Sequence, residues 1–146
     1  MGDLLMGLDR IIDMQKLVLA LYSDDSTVRR SVIAALGKQL DKDLPIHEIK
    51  EFATAAALRL YVDSKKQVDL FILDAEAVPE GGMGVCRQLK DEVFNCPPVL
   101  LITARSSDNW LATWSKAEAT VMHPIDPFTI AAKCAGLFKS NSALAK

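Results

Sequence analysis

The stretch VDLFILDAEAVPEGGMG, residues Val68–Gly84, decides the fold. It contains an unbroken apolar run, Leu70–Leu73, which is typical of a strand that is buried on both faces of a parallel sheet. The run stops at a carboxylate, Asp74, and a turn that contains Pro79 and several glycines follows. A buried, apolar strand that ends in a carboxylate indicates that a functional site lies at that end of the strand.

Apolar runs and helical patterns alternate on both sides of this stretch. The predicted strands cover Leu17–Tyr22, Ile46–Phe52, Val68–Leu73, Val99–Thr103 and Ala119–Met122. The predicted helices cover Thr27–Leu36, Ala55–Val62, Gly84–Val93, Asp108–Lys116 and a final segment that begins at Asp126-Pro127 and includes Phe138. Five such units predict an α/β fold of (βα)5 type, with one doubly wound, five-stranded parallel sheet between two layers of helices.

The domain organisation follows from this alternation. Residues 1–15 are predicted to be an N-terminal extension, residues 16–139 to form one domain, and residues 140–146 to be a flexible tail. The sequence shows no basic-then-apolar leader and no apolar stretch of the ~20 residues that a membrane span needs, so neither a signal peptide nor a membrane partner is expected.

Composition narrows the class of function. Lys and Arg number 17 and Asp and Glu 19, for a net charge of −2, which argues against a nucleic-acid partner. The chain has three cysteines (Cys86, Cys96 and Cys134), no CxxC pair and only two histidines. Neither a disulfide framework nor a Cys/His zinc site is therefore expected. This cysteine usage is typical of a reduced, cytoplasmic protein.

Polar residues collect at the ends of the predicted strands. Ser23-Asp24-Asp25 follow the first strand, Asp74 the third, Thr103 ends the fourth and His123 follows the fifth. In a parallel sheet these ends share one edge, where ligands bind. Carboxylates with a hydroxyl suit Mg²⁺, and a carboxylate beside that ion can accept a phosphoryl group. Taken singly, Asp25 or Ser26 is explained as the cap of the helix that starts at Thr27.

The sequence resembles the receiver domain of bacterial two-component response regulators. The resemblance covers nearly all of residues 15–139 and is carried by LALYSDDSTVRR, VDLFILDAEAVPEGGMG, PPVLLITAR and VMHPIDPFTI. It implies a flavodoxin-like strand order 2-1-3-4-5 and phosphorylation of Asp74 by a histidine kinase or a small phosphodonor. It also implies Mg²⁺ held by Asp24, Asp74 and the backbone carbonyl of Glu76, with Thr103 as the hydroxyl that turns toward the phosphoryl group.

The site departs from the family pattern at two positions. The family has two adjacent acids after the first strand; in the register that we favour, Ser23 takes the place of the first acid and Asp24 that of the second, whereas a slip by one residue would pair Asp24 with Asp25. His123 stands where the family has a lysine, and a neutral imidazole would hold a phosphoryl group less strongly. Weak Mg²⁺ binding and weak phosphoryl capture are therefore expected.

The sequence supports one interpretation most strongly. The chain is predicted to be a stand-alone receiver, not an enzyme in the usual sense, that accepts a phosphoryl group on Asp74 and signals to an unknown downstream protein or through a homodimer. The alternative is a pseudo-receiver that binds partners without phosphorylation, which Ser23 and His123 favour. A small Mg²⁺-dependent phosphatase on the same fold ranks last. Of Trp110 and Trp114, which share a helix face, at least one is expected in the core.

Overall fold

The computed structural model describes residues 16–105 and 109–145, so the predicted extension 1–15 and the predicted helix start at Asp108 lie outside the described residues. Strands and helices alternate along this part of the chain. The strands are β1 (Leu17–Tyr22), β2 (His47–Phe52), β3 (Leu70–Asp74), β4 (Val99–Thr103) and β5 (Ala119–Met122). The helices are α1 (Ser26–Leu36), α2 (Ala55–Asp63), α3 (Gly82–Glu92), α4 (Asn109–Ser115) and α5 (Pro127–Ala145).

The described strands form one parallel sheet in the order β2-β1-β3-β4-β5, which confirms the predicted fold. The register aligns the carboxyl ends of the strands, because Tyr22 lies opposite Leu73 and Asp74 lies opposite Ile102. Residues that follow β1, β3, β4 and β5 therefore meet at one edge of the sheet, which we call the carboxyl edge.

Two cores cover the two faces of the sheet, because successive side chains of a strand point to opposite sides. In β3, Phe71 and Leu73 pack with α2 and α3, whereas Leu70 and Ile72 pack with α1 and α5. All four side chains are almost completely buried. Burial of this kind stabilises a domain by about 1.5–3 kcal/mol for each large apolar side chain, so β3 holds its last residue firmly in place.

Side-chain caps fix where several helices begin. Asp25 accepts a hydrogen bond from the backbone N–H of Thr27, and Thr54 accepts one from Ala57. Asp126 accepts hydrogen bonds from the backbone N–H groups of Phe128 and Thr129, so it caps the helix that was predicted to begin at Asp126-Pro127.

Beyond shifts of one or two residues at several element ends, the structure differs from the sequence predictions in the following details. Strand β3 begins at Leu70, two residues later than predicted, and it includes Asp74. Helix α5 continues to Ala145 and so includes most of the segment that was assigned to a tail. The expectation that Trp110 or Trp114 lies in the core is wrong, since both are at least about half exposed and α4 buries Ala112 and Ser115 instead. Within residues 16–105 and 109–145, no helix is long and apolar enough to cross a membrane.

Candidate functional site

Asp74 is the centre of the carboxyl edge. Its side chain is buried, with the residue only 3% exposed, and it stands between β1 and β4 at the end of β3. Two backbone hydrogen bonds hold the chain that follows it, because Ala75 donates to the carbonyl of Ile102 at 2.8 Å and Ala77 to that of Asp74 at 3.2 Å. A buried carboxylate of this kind needs hydrogen-bond donors close by.

Ser23 makes the shortest of these hydrogen bonds to Asp74. Its hydroxyl donates to Oδ2 of Asp74 at 2.7 Å and accepts the backbone N–H of Asp25 at 3.1 Å. The residue is completely buried, and Arg29 holds its carbonyl through a 2.7 Å hydrogen bond from Nη1. The serine that stands in the position of an acid therefore contacts the predicted phosphoacceptor directly.

The other oxygen of Asp74 faces two nitrogen atoms. The backbone N–H of Glu76 donates to Oδ1 at 2.9 Å, and Nε2 of His123 lies 3.2 Å from the same oxygen. The side chain of His123 is one quarter exposed, and its backbone N–H donates to the carbonyl of Thr103 at 2.8 Å. The structure thus brings Ser23, Asp74 and His123 together, as the strand-end argument predicts.

Thr103 lies at the same edge but is not bonded to Asp74. It is buried, and its hydroxyl donates to the carbonyl of Val121 on β5 at 3.4 Å. A threonine hydroxyl has one proton to donate, so in this orientation that proton is directed along the sheet edge and not toward the carboxylate. A rotation about χ1 is the change that would redirect it.

The two acids after Ser23 have different environments. The carboxylate of Asp25 is exposed and caps α1 through its 2.8 Å hydrogen bond from Thr27. Asp24 is also exposed, and its charge helps to raise the pKa of the buried Tyr22, after burial itself and the charge of Glu80. The two acids therefore differ, because the carboxylate of Asp25 caps α1 and that of Asp24 does not.

Two glycines allow α3 to start against the acceptor strand. A Cβ on Gly82 would lie 2.8 Å from the carbonyl carbon and oxygen of Asp74, and one on Gly81 would lie 2.7 Å from the carbonyl oxygen of Ala75. A Cβ on Gly84 would meet nothing within 4 Å. The first two glycines are therefore required by close packing rather than by flexibility. The sequence alone does not show this requirement.

The loop that follows Asp74 is also held from outside the site. Tyr22 donates its hydroxyl proton to the carbonyl of Glu80 at 2.5 Å. Arg59 donates to both carboxylate oxygens of Glu80, through Nη1 at 2.9 Å and through Nη2, and its Nε donates to Gln88 at 2.8 Å. The guanidinium of Arg59 lowers the pKa of Glu80. We call these three residues, Tyr22, Arg59 and Glu80, the loop clamp.

The sequence could not identify the loop clamp. Tyr22 reads as one more residue of a buried strand, and Arg59 and Glu80 read as exposed charges on a helix and in a turn. They are 21 to 58 residues apart, and no motif spacing joins them. A planar guanidinium with a carboxylate is a bidentate pair that only the fold can assemble.

The chemistry of the carboxyl edge suits an anionic ligand that is bound covalently. One buried carboxylate, a group of the kind that can serve as a nucleophile, is held in a fixed position and is surrounded by a hydroxyl, a backbone N–H and an imidazole. Among the described residues, no cluster of three or more His, Cys, Asp or Glu side chains could by itself hold a metal ion. A divalent cation at this edge would have the carboxylates of Asp74 and Asp24 and backbone oxygens as its protein ligands.

Comparison with curated proteins identifies relatives. Two proteins of Mycobacterium tuberculosis, from strains CDC 1551 / Oshkosh and ATCC 25618 / H37Rv, carry the name uncharacterized response regulatory protein. Each is 48% identical to this chain over 112 residues, which are 77% of this chain and 84% of the relative. No protein-family model matches the chain.

Solved structures share the fold. The BeF3-activated receiver domain of DrrB superposes with a TM-score of 0.69 at 17% identity, over 85% of this chain and 98% of that chain. The chemotaxis response regulator CheY4 of Vibrio cholerae has a TM-score of 0.68 at 17% identity, over 84% of this chain and 98% of that chain. At these identities the likeness shows the fold alone.

Proposed function

The chain belongs to the response regulators of two-component systems, as a receiver domain, and from this premise we propose that Asp74 is its phosphoacceptor. Receivers are signalling proteins that act with histidine kinases and downstream effectors, and they are not enzymes in the usual sense. The observation that carries the proposal is the position of Asp74, a buried carboxylate at the end of the central strand with donors on both oxygens.

The proposed step is a transfer between oxygen atoms. A carboxylate oxygen of Asp74 attacks the phosphorus atom of the donor, the bond from phosphorus to the donor's leaving atom breaks, and the leaving group departs with the electron pair. The product is an acyl phosphate on Asp74. The phosphoryl group carries two negative charges where the carboxylate carried one, and donors at the edge of the sheet must meet this added charge.

Ser23, Thr103 and His123 are the side chains that we propose meet this charge. Each lies at the carboxyl edge, and each donates or can donate a proton: the two hydroxyls by rotation, and the imidazole through Nε2. Ser23 already donates to the carboxylate and can donate to a phosphoryl oxygen once Asp74 is modified. His123 stands in the position of a lysine and, unless it is protonated, adds a hydrogen bond without a full charge.

The family generally uses Mg²⁺ at the phosphorylation site, and the residues present fit a loosely held ion. Mg²⁺ commonly keeps several waters and is bound by one or two carboxylates together with substrate phosphate oxygens. Asp24, Asp74 and the backbone carbonyl of Glu76 would hold it here. The ion would neutralise part of the phosphoryl charge. The absence of an acid at Ser23 removes one carboxylate, so we propose a weaker affinity than a two-acid site would give.

We propose a histidine kinase or another phosphodonor as the input partner and a protein as the output partner. The slight acidity of the chain, with a net charge of −2, supports a protein rather than a nucleic acid. A reducing compartment such as the cytoplasm suits its thiols, because Cys86 and Cys134 are buried and free. Burial raises the pKa of Cys86 to about 11 and that of Cys134 to about 12, so both stay protonated and inert.

The test is incubation with Mg²⁺ and acetyl phosphate, followed by intact mass measurement. We expect a gain of one phosphoryl group in the wild-type chain and none in Asp74→Asn. Asp63→Asn is the matched control, because Asp63 is an exposed aspartate at the end of α2. This helix end lies toward the amino ends of the strands, at the opposite edge of the sheet from Asp74. It should be labelled like the wild type.

Either of two results would contradict the proposal. One is a folded wild-type chain that gains no phosphoryl group while an established receiver is labelled in the same reaction. The other is a label that persists in Asp74→Asn, which would assign the acceptor to another residue. The first result would favour the pseudo-receiver interpretation.

A further inference from the structure

A groove with a volume of about 480 Å³ opens between the carboxyl-terminal halves of α2 and α3, and we call it the α2–α3 groove. Its floor is apolar and includes Val62, Val68, Phe71 and Leu89. It lies toward the amino ends of the strands, because both helices run antiparallel to the strands that they cover. It is therefore at the opposite edge of the sheet from Asp74.

An exposed aromatic side chain stands at the mouth of this groove. Phe94 lines the opening, yet it is 91% exposed, so it does not fill the cavity of its own chain. It follows α3 in a tight turn whose next residue, Asn95, has a left-handed backbone with φ of 50°. The backbone N–H of Val93 closes the helix by donating to Leu89 at 2.8 Å, which holds the turn against the helix end.

The charges on the two sides of the groove have opposite signs. Lys65 and Lys66, which follow α2, form one side together with Asp63, and Glu92 of α3 forms the other. In the described part of the chain, Lys65, Lys66 and Glu92 make no ion pair with a carboxylate or cation. Lys66 lies over the ring of Tyr61, and Glu92 has long contacts of 3.4 Å with Gln88.

We infer that the α2–α3 groove binds a second copy of this chain, with Phe94 of each copy inserted into the groove of the other. A two-fold axis makes every contact occur twice, so one surface must be complementary to itself. The surface around the α2–α3 groove is complementary to itself in this sense. It carries an exposed aromatic side chain beside a cavity that can hold one, and a pair of cations opposite an acid. The same rotation that inserts Phe94 brings Glu92 of one copy to Lys65 and Lys66 of the other.

We expect a modest affinity, because each copy contributes one aromatic side chain to one groove. Contacts that bury less than about 1,200 Å² in total belong to transient complexes. Two buried phenylalanines at the centre, with an ion-paired rim, follow the usual anatomy of such contacts. The dimer therefore forms at high protein concentration and dissociates on dilution. It does not depend on phosphorylation of Asp74, so its failure and the failure of the proposed function are separate results.

The test is sedimentation velocity of the full chain without phosphodonor over a wide concentration range. We expect the mass to rise with concentration from the 16.0 kDa of the monomer toward twice that value. Phe94→Ser should raise the dissociation constant on the order of a hundredfold, because each copy loses one buried aromatic side chain. The fold should be unaffected, since Phe94 is exposed in the monomer.

Phe128→Ser is the matched control, because Phe128 is 87% exposed but lies at the start of α5, away from the α2–α3 groove. It should dimerise like the wild type. Lys66→Glu and Glu92→Lys should each weaken the dimer several-fold at low salt, and the double variant should recover the lost affinity. Recovery requires that the two residues face each other across the contact.

Three results would overturn the inference. The first is a chain that remains monomeric at every concentration. The second is a dimer that Phe128→Ser disrupts and Phe94→Ser does not. The third is a dimer that is lost on deletion of residues 1–15 but is unchanged in Phe94→Ser, which would assign self-association to that segment instead.

Discussion

A buried polar side chain lies at each edge of the sheet, and the two have opposite environments. At the carboxyl edge, Asp74 accepts a hydroxyl and a backbone N–H and faces the imidazole of His123. At the amino edge, His47 begins β2 and is 7% exposed, and neither ring nitrogen has a hydrogen-bond partner in the part of the chain that the structure describes. Burial lowers the pKa of His47, and the nearby backbone of Gly37 offsets this only in part.

The difference teaches which polar groups the fold is built around. Donors that follow β1, β3 and β5 converge on Asp74, so the fold provides partners for its carboxylate. The ring of His47 is buried as an apolar side chain would be. It stays neutral, because a buried cation without a partner is unfavourable. Four predictions test this contrast, from the largest expected effect to the smallest.

Gly82→Ala should have the largest effect, because the added Cβ would meet the backbone of Asp74 at 2.8 Å and backbone atoms cannot rotate away. We expect a loss of about 3 kcal/mol in the free energy of unfolding, at the top of the range for overpacking. Gly84→Ala, in the same helix but with open space around it, should instead gain about 0.5–1 kcal/mol. Urea unfolding of both variants measures the difference, and equal stability of the two would contradict the close packing.

Ser23→Ala should cost about 2 kcal/mol, because it removes a donor from a buried carboxylate and an acceptor from the N–H of Asp25. The control is Ser31→Ala, whose hydroxyl is exposed on α1 and donates only to the carbonyl of Thr27. That change should stay within about 0.5 kcal/mol. Thermal or urea unfolding serves as the measurement. A Ser23 variant as stable as the control would mean that Asp74 does not need this donor.

His47→Leu should raise stability by about 1 kcal/mol, because an unpaired polar ring is replaced by a side chain that loses nothing on burial. The same substitution at His123 should give no gain, because that imidazole faces a carboxylate. Comparing the two leucine variants by urea unfolding sets one edge of the sheet directly against the other. A stabilised His123 variant beside a destabilised His47 variant would reverse the contrast.

The pH dependence of His47 should be the smallest effect. Its folded pKa lies below the unfolded value of about 6.5, so the unfolded chain binds the additional proton and stability falls as the pH drops through 6.5. Between pH 7 and pH 6 this loss is at most about 0.7 kcal/mol. Other groups titrate too, so the measured quantity is the wild-type slope minus the slope of His47→Leu. A difference of zero, or of opposite sign, would mean that His47 is paired when folded.

Much of this architecture could be predicted from the sequence. The apolar runs fix the strands, and parallel alternation fixes the edge at which Asp74, Thr103 and His123 meet. The prediction that Asp25 could serve as a helix cap is confirmed because capping is local and depends on the next few residues. What could be predicted is therefore either periodic or close in sequence.

Features that depend on distant contacts could not be predicted. The hydrogen bond from Ser23 to Asp74 joins residues that are 51 positions apart, and no sequence pattern links the two. Gly82 reads as one of several turn glycines until the backbone of Asp74 is seen beside it. Helix α4 buries Ala112 and Ser115 and leaves Trp110 and Trp114 exposed, and apolar character alone does not show this.

Arg59 of the loop clamp contacts features at both edges of the sheet. The same guanidinium lines the α2–α3 groove and binds Glu80 in the loop that follows Asp74. A substitution of Arg59 made to probe self-association would thus also release the loop that follows Asp74, and a change in dimerisation could not be separated from a change at the carboxyl edge. Phe94 and Lys66 touch the groove without sharing in the clamp, so they give separable variants, and Arg59 is the residue to leave intact.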